Sequence, residues 1–289
     1  MTDSTTEFLS EGQQAGARYC LAAPRRTPLG TAGAQLGRMA GESMEFMDHR
    51  EYQPGDDLRR LDWAAYARTD KMIVKLYRQE VCPHLDLVLD GSKSMALAGS
   101  RKQRAAVGLA AALCTAAGNT GYTHRAYVTG RGCHPIAGSA ESPVLWQGVS
   151  LDAADSPAES FRALPPVWRP HGIRALVSDL LWLGDPLDLL STLGHRAAAV
   201  YVIEVLAAAD LDPPHHGNVR LVDSEDGAMR ELFLDSAALA RYRDNLRRHR
   251  QAWRRAARQV GAVMVSLVAE ELCGTWDLSP LVEAGVLSV

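Results

Sequence analysis

A short apolar segment that ends in a run of oxygen-bearing side chains places the strongest constraint on how this chain folds. Leu85–Leu89 is interrupted only by Asp86, which is typical of a strand buried on both faces of a parallel sheet. Asp90–Ser94 follows it directly. In an open α/β sheet, ligands bind in the crevice beyond the carboxyl ends of the strands. Asp90–Ser94 is therefore the first candidate for a functional loop.

The chemistry of this loop suits a hard cation. Asp90, Ser92 and Ser94 offer a carboxylate and two hydroxyls at a spacing of two residues. Mg²⁺ prefers such oxygen ligands in an octahedral shell and retains several waters, and Mn²⁺ and Ca²⁺ accept the same class of ligand. The other interpretation is a turn without a ligand, because Asp, Gly and Ser are ordinary turn residues after a strand. The spacing alone leaves both interpretations open.

A second predicted strand, Ile173–Ser178, also ends in a carboxylate, Asp179. Strands and helices alternate through this half of the chain, with another strand predicted at Ala198–Leu206. Such alternation predicts an α/β fold with a Rossmann-like, doubly wound and mostly parallel sheet. In the strand order 3-2-1-4-5-6, the first and fourth strands are neighbours. On that order Asp90 and Asp179 would flank one crevice.

Composition narrows the class of protein. The 289 residues are 47% hydrophobic and 22% charged, as in an ordinary soluble globular protein, and the net charge of −3 gives no general attraction to nucleic acid or anionic lipid. The five cysteines are scattered, which argues against zinc ribbons and disulfide frameworks. The amino terminus lacks the apolar core of a signal peptide. The longest apolar run, Ala197–Ala209, contains Glu204 and is too short to span a bilayer. We expect a cytoplasmic protein with no membrane span and no nucleic-acid partner.

The chain is expected to comprise three parts. Residues 1–40 are predicted to form an amino-terminal tail, mobile or loosely docked over about residues 1–28, residues 41–82 an irregular charged arm packed on the core, and residues 83–289 the α/β domain. Within the arm, Met72–Tyr77 predicts a strand that could pair with the sheet near Leu85.

The charges of the arm between Arg50 and Arg68 allow two interpretations. They either form a lattice of ion pairs that holds the segment in place, or they form a surface that recognises a partner. In the second case Asp57 and Arg59, together with Lys93 of the first loop, are the candidate partner-binding residues. No evident nucleophile lies beside these charges, which disfavours an active site.

Near the carboxyl terminus, apolar residues at three- and four-residue spacing predict a long helix at about 236–260. Its other faces carry eight arginines, which either grip an acidic partner or nucleic acid or merely solubilise a packed helix. The net charge of the chain favours the second interpretation.

Three motifs together resemble those of the bacterial DUF58 family of proteins of unknown function. They are R-x-Y-x-P-G-D-D at Arg50–Asp57, the pair Asp62-Trp63, and D-x-S-x-S-M at Asp90–Met95. The resemblance runs from about Gly41 through the last helix. The core of this family is similar to the von Willebrand factor type A domain.

The resemblance implies a metal-ion-dependent adhesion site in which Ser92 and Ser94 ligate Mg²⁺ directly and Asp90 and Asp179 act largely through water. Type A domains usually add a Thr before the helix that precedes the fourth strand. Here Ser156 stands in that region, and it either substitutes for the Thr or caps the helix.

Genes of similar proteins commonly lie beside those of MoxR-type AAA+ ATPases. The resemblance therefore implies a non-catalytic, metal-dependent protein-interaction module with such an ATPase as its partner, in a chaperone-like or assembly role. The alternative function is a phosphatase-like hydrolase with Asp90 as the nucleophile. Such sites require a second acidic residue two positions later, where this chain has Ser92.

Overall fold

The computed structural model describes residues 2–22, 44–54, 56, 58–79, 84–213, 217–224 and 227–289. The chain divides into two compact units, one formed by Met1–Arg25 with Pro83–Val289 and the other by Arg26–Cys82. Asp57, a predicted partner-binding residue, lies outside the described residues.

Strands and helices alternate along most of the described chain. The strands are β1 (Cys20–Leu21), β2 (Met44–Glu51), β3 (Ile73–Gln79), β4 (His84–Leu89), β5 (Thr123–Gly130), β6 (Gly132–Pro135), β7 (Ile173–Ser178), β8 (Ala199–Leu206), β9 (Gly217–Val222), β10 (Met229–Leu234), β11 (Val263–Val268) and β12 (Leu287–Ser288). The α-helices are α1 (Thr2–Gly16), α2 (Trp63–Thr69), α3 (Lys102–Asn119), α4 (Pro157–Ala163), α5 (Pro186–Gly194), α6 (Ala208–Leu211), α7 (Ser236–Val260), α8 (Ala269–Thr275) and α9 (Ser279–Glu283). Within the ranges given above, no helix is both long enough and apolar enough to cross a membrane.

Six strands form the central sheet in the order β11-β8-β7-β4-β5-β6. Five of them are parallel, and β6 pairs antiparallel with β5 at one edge. Numbered by their succession in the chain, the six strands run 3-2-1-4-5-6. The prediction of an α/β fold with a mostly parallel sheet is confirmed, and β4 and β7 are direct neighbours.

Two separate apolar cores cover the faces of this sheet, because successive side chains of a strand point to opposite faces. Leu85, Leu87 and Leu89 belong to the core that contains α3, whose alanines allow a close approach to the sheet. Val88 belongs to the other core, where Trp253 of α7 is buried. Both faces of β4 are therefore buried, as its apolar run, interrupted only by Asp86, predicts.

The prediction of a loosely docked amino-terminal tail is wrong for residues 2–22. Helix α1 packs on α3, and Leu9 is buried in the core. The two helix backbones approach closely at Gly12, where a Cβ atom would lie 1.9 Å from the carbonyl oxygen of Gly108. Strand β1 then pairs antiparallel with β12. The close contact is made by small residues, which leave little hydrophobic periodicity in the sequence.

The arm is more regular than predicted. Met72–Tyr77 does overlap a strand, β3, but this strand pairs antiparallel with β2 rather than with the sheet near Leu85. Charged side chains connect the segment internally: both carboxylate oxygens of Asp56 accept hydrogen bonds from Arg50 Nη2 at 2.8 and 3.0 Å. Whether the arm packs on the core stays a prediction.

The long basic helix is present as predicted, over Ser236–Val260. Its arginines do not all face solvent, because Arg250 donates hydrogen bonds to both carboxylate oxygens of the buried Glu204. One of the eight arginines thus fastens the helix to β8.

We expect the substitution Gly12→Ala to lower the free energy of unfolding by about 1–3 kcal/mol, because the added methyl group forces α1 away from the Gly108 carbonyl. Gly118→Ala is the matched control, since its Cβ would meet nothing within 4 Å. Urea unfolding followed by circular dichroism measures both. Equal midpoints for Gly12→Ala and wild type would contradict the close packing of α1 on α3.

We expect the Asp62 carboxyl to titrate near pH 2. Its pKa falls from 3.8 to about 2 mainly because the backbone N–H of Ala65 donates to it, with a further contribution from His49. The unfolded chain takes up this proton at higher pH than the folded chain does. The stability that Asp62 contributes is therefore complete above about pH 4 and lost as the pH falls toward 2. Carboxyl-detected NMR titration, with Asp62→Asn to assign the signal, gives the value; an ordinary pKa would count against the capping geometry.

Candidate functional site

The loop after β4 is fixed between the ends of two neighbouring strands. The backbone N–H of Asp90 donates to the Val177 carbonyl of β7 at 2.9 Å. The N–H of Gly91 donates to the Thr129 hydroxyl of β5 at 2.9 Å. A Cβ atom on Gly91 would lie 2.0 Å from the Thr129 carbonyl oxygen, so only glycine fits there.

Asp90 is fully buried, and both of its carboxylate oxygens accept hydrogen bonds. Oδ1 accepts from the Ser92 backbone N–H at 3.0 Å, and Oδ2 accepts from the Ser178 hydroxyl at 2.5 Å. Burial, and then the negative charge of Asp179, raise the pKa of Asp90 to about 7 despite these hydrogen bonds. The environment of Asp90 is therefore short of positive charge.

The two hydroxyls of the loop lie side by side. Ser92 Oγ and Ser94 Oγ are 3.0 Å apart. Two ligands at neighbouring corners of an Mg²⁺ octahedron, each about 2.1 Å from the ion, lie about 3.0 Å apart. A direct hydrogen bond between the hydroxyls accounts for the same separation. The pair thus fits a metal ion without requiring one.

Asp179 follows β7 directly and carries a partner that the sequence interpretation missed. Its Oδ2 accepts a hydrogen bond from Lys102 Nζ at 2.8 Å, and its Oδ1 accepts from the Leu181 N–H at 3.1 Å. The same ammonium lies 3.2 Å from Asp210 Oδ2 of α6. Lys102 is only 1% exposed. In the sequence, only the position of Lys102 at the start of an alanine-rich helix hints at its burial, because lysine is usually exposed.

The cluster carries more negative than positive charge. Asp90, Asp179 and Asp210 bring three carboxylates against the ammonium of Lys102. Burial alone would lower the pKa of Lys102, but the charges of Asp179 and Asp210 raise it above its ordinary value, so the ammonium stays charged. With every carboxylate ionised, three negative charges and one positive charge leave a net charge of −2. One divalent cation would balance it.

The backbone beside Asp179 is strained. Leu180 has φ of +58°, in the left-handed region that bulky residues rarely adopt, and its side chain is buried. Its N–H donates to the Ser178 hydroxyl at 2.9 Å, and its carbonyl oxygen accepts from His249 Nε2 of α7 at 2.6 Å. Such conformations cost about 1–3 kcal/mol and concentrate at functional sites.

Ser156 serves as the cap of α4. Its hydroxyl donates to Glu159 Oε2 at 2.8 Å, and the Glu159 N–H donates to the Ser156 hydroxyl at 3.3 Å. The preceding segment does reach the candidate loop, since the N–H of Lys93 donates to the Ala153 carbonyl at 2.9 Å. The capping role is thus observed, and a role for Ser156 as a metal ligand stays a prediction.

Two of the remaining predicted residues belong to different units. Lys93 lies in the candidate loop of the first unit, whereas Arg59 belongs to the second unit. Two exposed leucines that the sequence interpretation did not single out follow the loops closely: Leu97 is 43% exposed and Leu183 is 95% exposed.

Across the residues described, His, Cys, Asp and Glu side chains form no group of three or more that could hold a metal ion. Any metal here would therefore depend on the serine hydroxyls.

Comparison with a solved structure gives only a distant likeness. The crystal structure of the conserved hypothetical protein BatB from Bacteroides thetaiotaomicron covers 70% of this chain and 98% of its own, with 11% identity and a TM-score of 0.34. A TM-score this low carries no weight for the fold or the function.

Sequence comparison places the chain in a family. Uncharacterized proteins of Mycobacterium bovis and Mycobacterium tuberculosis are each 31% identical to it over 259 residues, which cover 81% of this chain and 78% of theirs. The family model described as "Protein of unknown function DUF58" matches residues 48–252, a range that includes Asp90, Lys102 and Asp179. The chain therefore belongs to the DUF58 family.

Proposed function

We propose that this chain is a non-catalytic protein-interaction module that binds a divalent cation at the carboxyl edge of its sheet. The observation that carries the proposal is the cluster of Asp90, Asp179 and Asp210, three carboxylates set against the ammonium of Lys102 beside the paired hydroxyls of Ser92 and Ser94. The ion is Mg²⁺ in the first instance, with Mn²⁺ and Ca²⁺ as alternatives.

The donor set suggests how such an ion would be held. Ser92 and Ser94 would ligate it directly. Asp90 and Asp179 would act through metal-bound water, because the oxygens of both carboxylates already accept hydrogen bonds from the protein. The ion would supply positive charge for a further anionic ligand. The strand order and the loop at the switch point support a type A-like domain with an adhesion-type site.

A partner protein is the ligand that this arrangement suits best. Mg²⁺ held by two hydroxyls keeps waters that a carboxylate from another protein can displace. The exposed side chains of Leu97 and Leu183, each within four residues of a site residue, offer apolar contacts beside that position. A MoxR-type AAA+ ATPase is the leading candidate, since genes for such ATPases commonly accompany those of proteins that resemble this one.

Two observations count against the phosphatase alternative. A nucleophile must reach its substrate, whereas Asp90 is fully buried with both oxygens hydrogen-bonded. A pKa of about 7 leaves a large share of this carboxyl protonated at neutral pH, and the protonated form is a poor nucleophile.

We expect wild-type protein to bind Mg²⁺ with measurable heat and Ser92→Ala to bind it roughly 10–100-fold more weakly, because one ligand is lost. Isothermal titration calorimetry in chelator-treated buffer measures both affinities. Ser191→Ala, on the exposed face of α5, is the matched control and should titrate like wild type. Identical affinities for Ser92→Ala and wild type would refute the proposed ligand set.

We expect the protein to bind a MoxR-type ATPase of the same organism in Mg²⁺ and to lose that binding in EDTA. Leu183→Ala should weaken the interaction without affecting the fold, since its side chain is almost fully exposed. Surface plasmon resonance compares these conditions, with Ser191→Ala again as the control. Binding that persists in EDTA and in Leu183→Ala would place the docking surface elsewhere.

A further inference from the structure

We infer that Lys102 determines how tightly this site holds its cation, as a built-in positive charge that shares the Asp179 carboxylate with the metal. The inference rests on the proposed function and adds Lys102, which does not itself ligate the metal. It makes Lys102 a positioning residue, because it acts on the ion through Asp179.

The ammonium group of Lys102 lies within the cluster and contacts two of its carboxylates. Lys102 Nζ lies 2.8 Å from Asp179 Oδ2 and 3.2 Å from Asp210 Oδ2, and the whole residue is 1% exposed. Lys102 is the first residue of α3, so its backbone position is fixed by the helix that packs on the sheet. The charge is thus a permanent part of the site rather than a side chain that moves in from solvent.

This contact limits what Asp179 can give to a metal ion. One of its oxygens accepts from Lys102 and the other accepts from the Leu181 N–H. A metal-bound water must therefore share Asp179 with the ammonium. In addition, a positive charge inside a buried cluster repels a divalent cation more strongly than it would in water. Both effects weaken metal binding in the free protein.

The weaker binding of the ion has a functional consequence. A cation that is incompletely neutralised by the protein gains more from a carboxylate supplied by a partner than a fully neutralised cation would. Lys102 therefore couples metal occupancy to docking, since each ligand raises the affinity for the other.

Charge counting gives a test in which two variants move in opposite directions. With every carboxylate ionised, the cluster formed by the three carboxylates and Lys102 has a net charge of −2 in the wild type, −3 in Lys102→Met, −1 in Asp210→Asn, and −2 in the double variant. We expect Mg²⁺ to bind Lys102→Met roughly tenfold or more tightly than wild type, Asp210→Asn several-fold more weakly, and the double variant within about threefold of wild type. Calorimetry gives the affinities, and the rise in melting temperature on adding Mg²⁺ gives a second readout, which should be largest for Lys102→Met.

A purely structural role for Lys102 predicts a different pattern, in which both single variants lose affinity. Unchanged or weaker Mg²⁺ binding by folded Lys102→Met would overturn the inference and leave the proposed function intact. Should Lys102→Met fail to fold, the double variant must bind Mg²⁺ at least about tenfold more tightly than Asp210→Asn, and equal affinities would overturn the inference. Absence of Mg²⁺ binding in wild type and in every folded variant would overturn the proposed function as well.

Discussion

Direct parallel pairing between β4 and β7 is the contact on which the candidate site depends. These strands are the first and fourth of the central sheet in chain order, and the connections that follow them leave toward different parts of the fold. Asp90 and Asp179 thereby meet at one edge although 88 residues separate them in the chain, while Asp90 still donates its backbone N–H to Val177. A sheet in which β4 and β7 were not neighbours would separate the two carboxylates and leave each as an ordinary turn residue.

The same edge carries several energetically unfavourable features. Carboxylates are buried there in excess over the ammonium of Lys102, and Leu180 holds a left-handed backbone conformation next to Asp179. The buried Glu204 of β8, by contrast, has a counter-charge, because Arg250 donates to both of its carboxylate oxygens. An excess of buried carboxylates beside a strained backbone is typical of a site shaped by a ligand rather than by stability.

The fold was largely predictable because its central strands are buried on both faces and so appear in the sequence as mostly apolar runs, as at Leu85–Leu89 and Ile173–Ser178. The carboxylates at their ends could be found by the same reasoning. Lys102 was not found, since its position at the start of an alanine-rich helix is only a weak signal for a residue type that is usually exposed. Helix α1 was missed because its contact with α3 is made by glycine and alanine, and the pairing of β3 with β2 depends on distant residues that periodicity does not identify.

The small strand pair β1–β12 has a consequence for how the domain opens. It joins residues 20–21 to residues 287–288, so it closes a very long loop through only two residue pairs. Contacts of such high sequence separation form late in folding, and breaking so short a ladder requires little free energy. The first partial unfolding of the domain should therefore release β1 together with α1. That opening exposes Leu9 of α1 and Leu21 of β1, both of which are buried, and amide hydrogens of these two elements can then exchange with solvent while the central sheet stays closed.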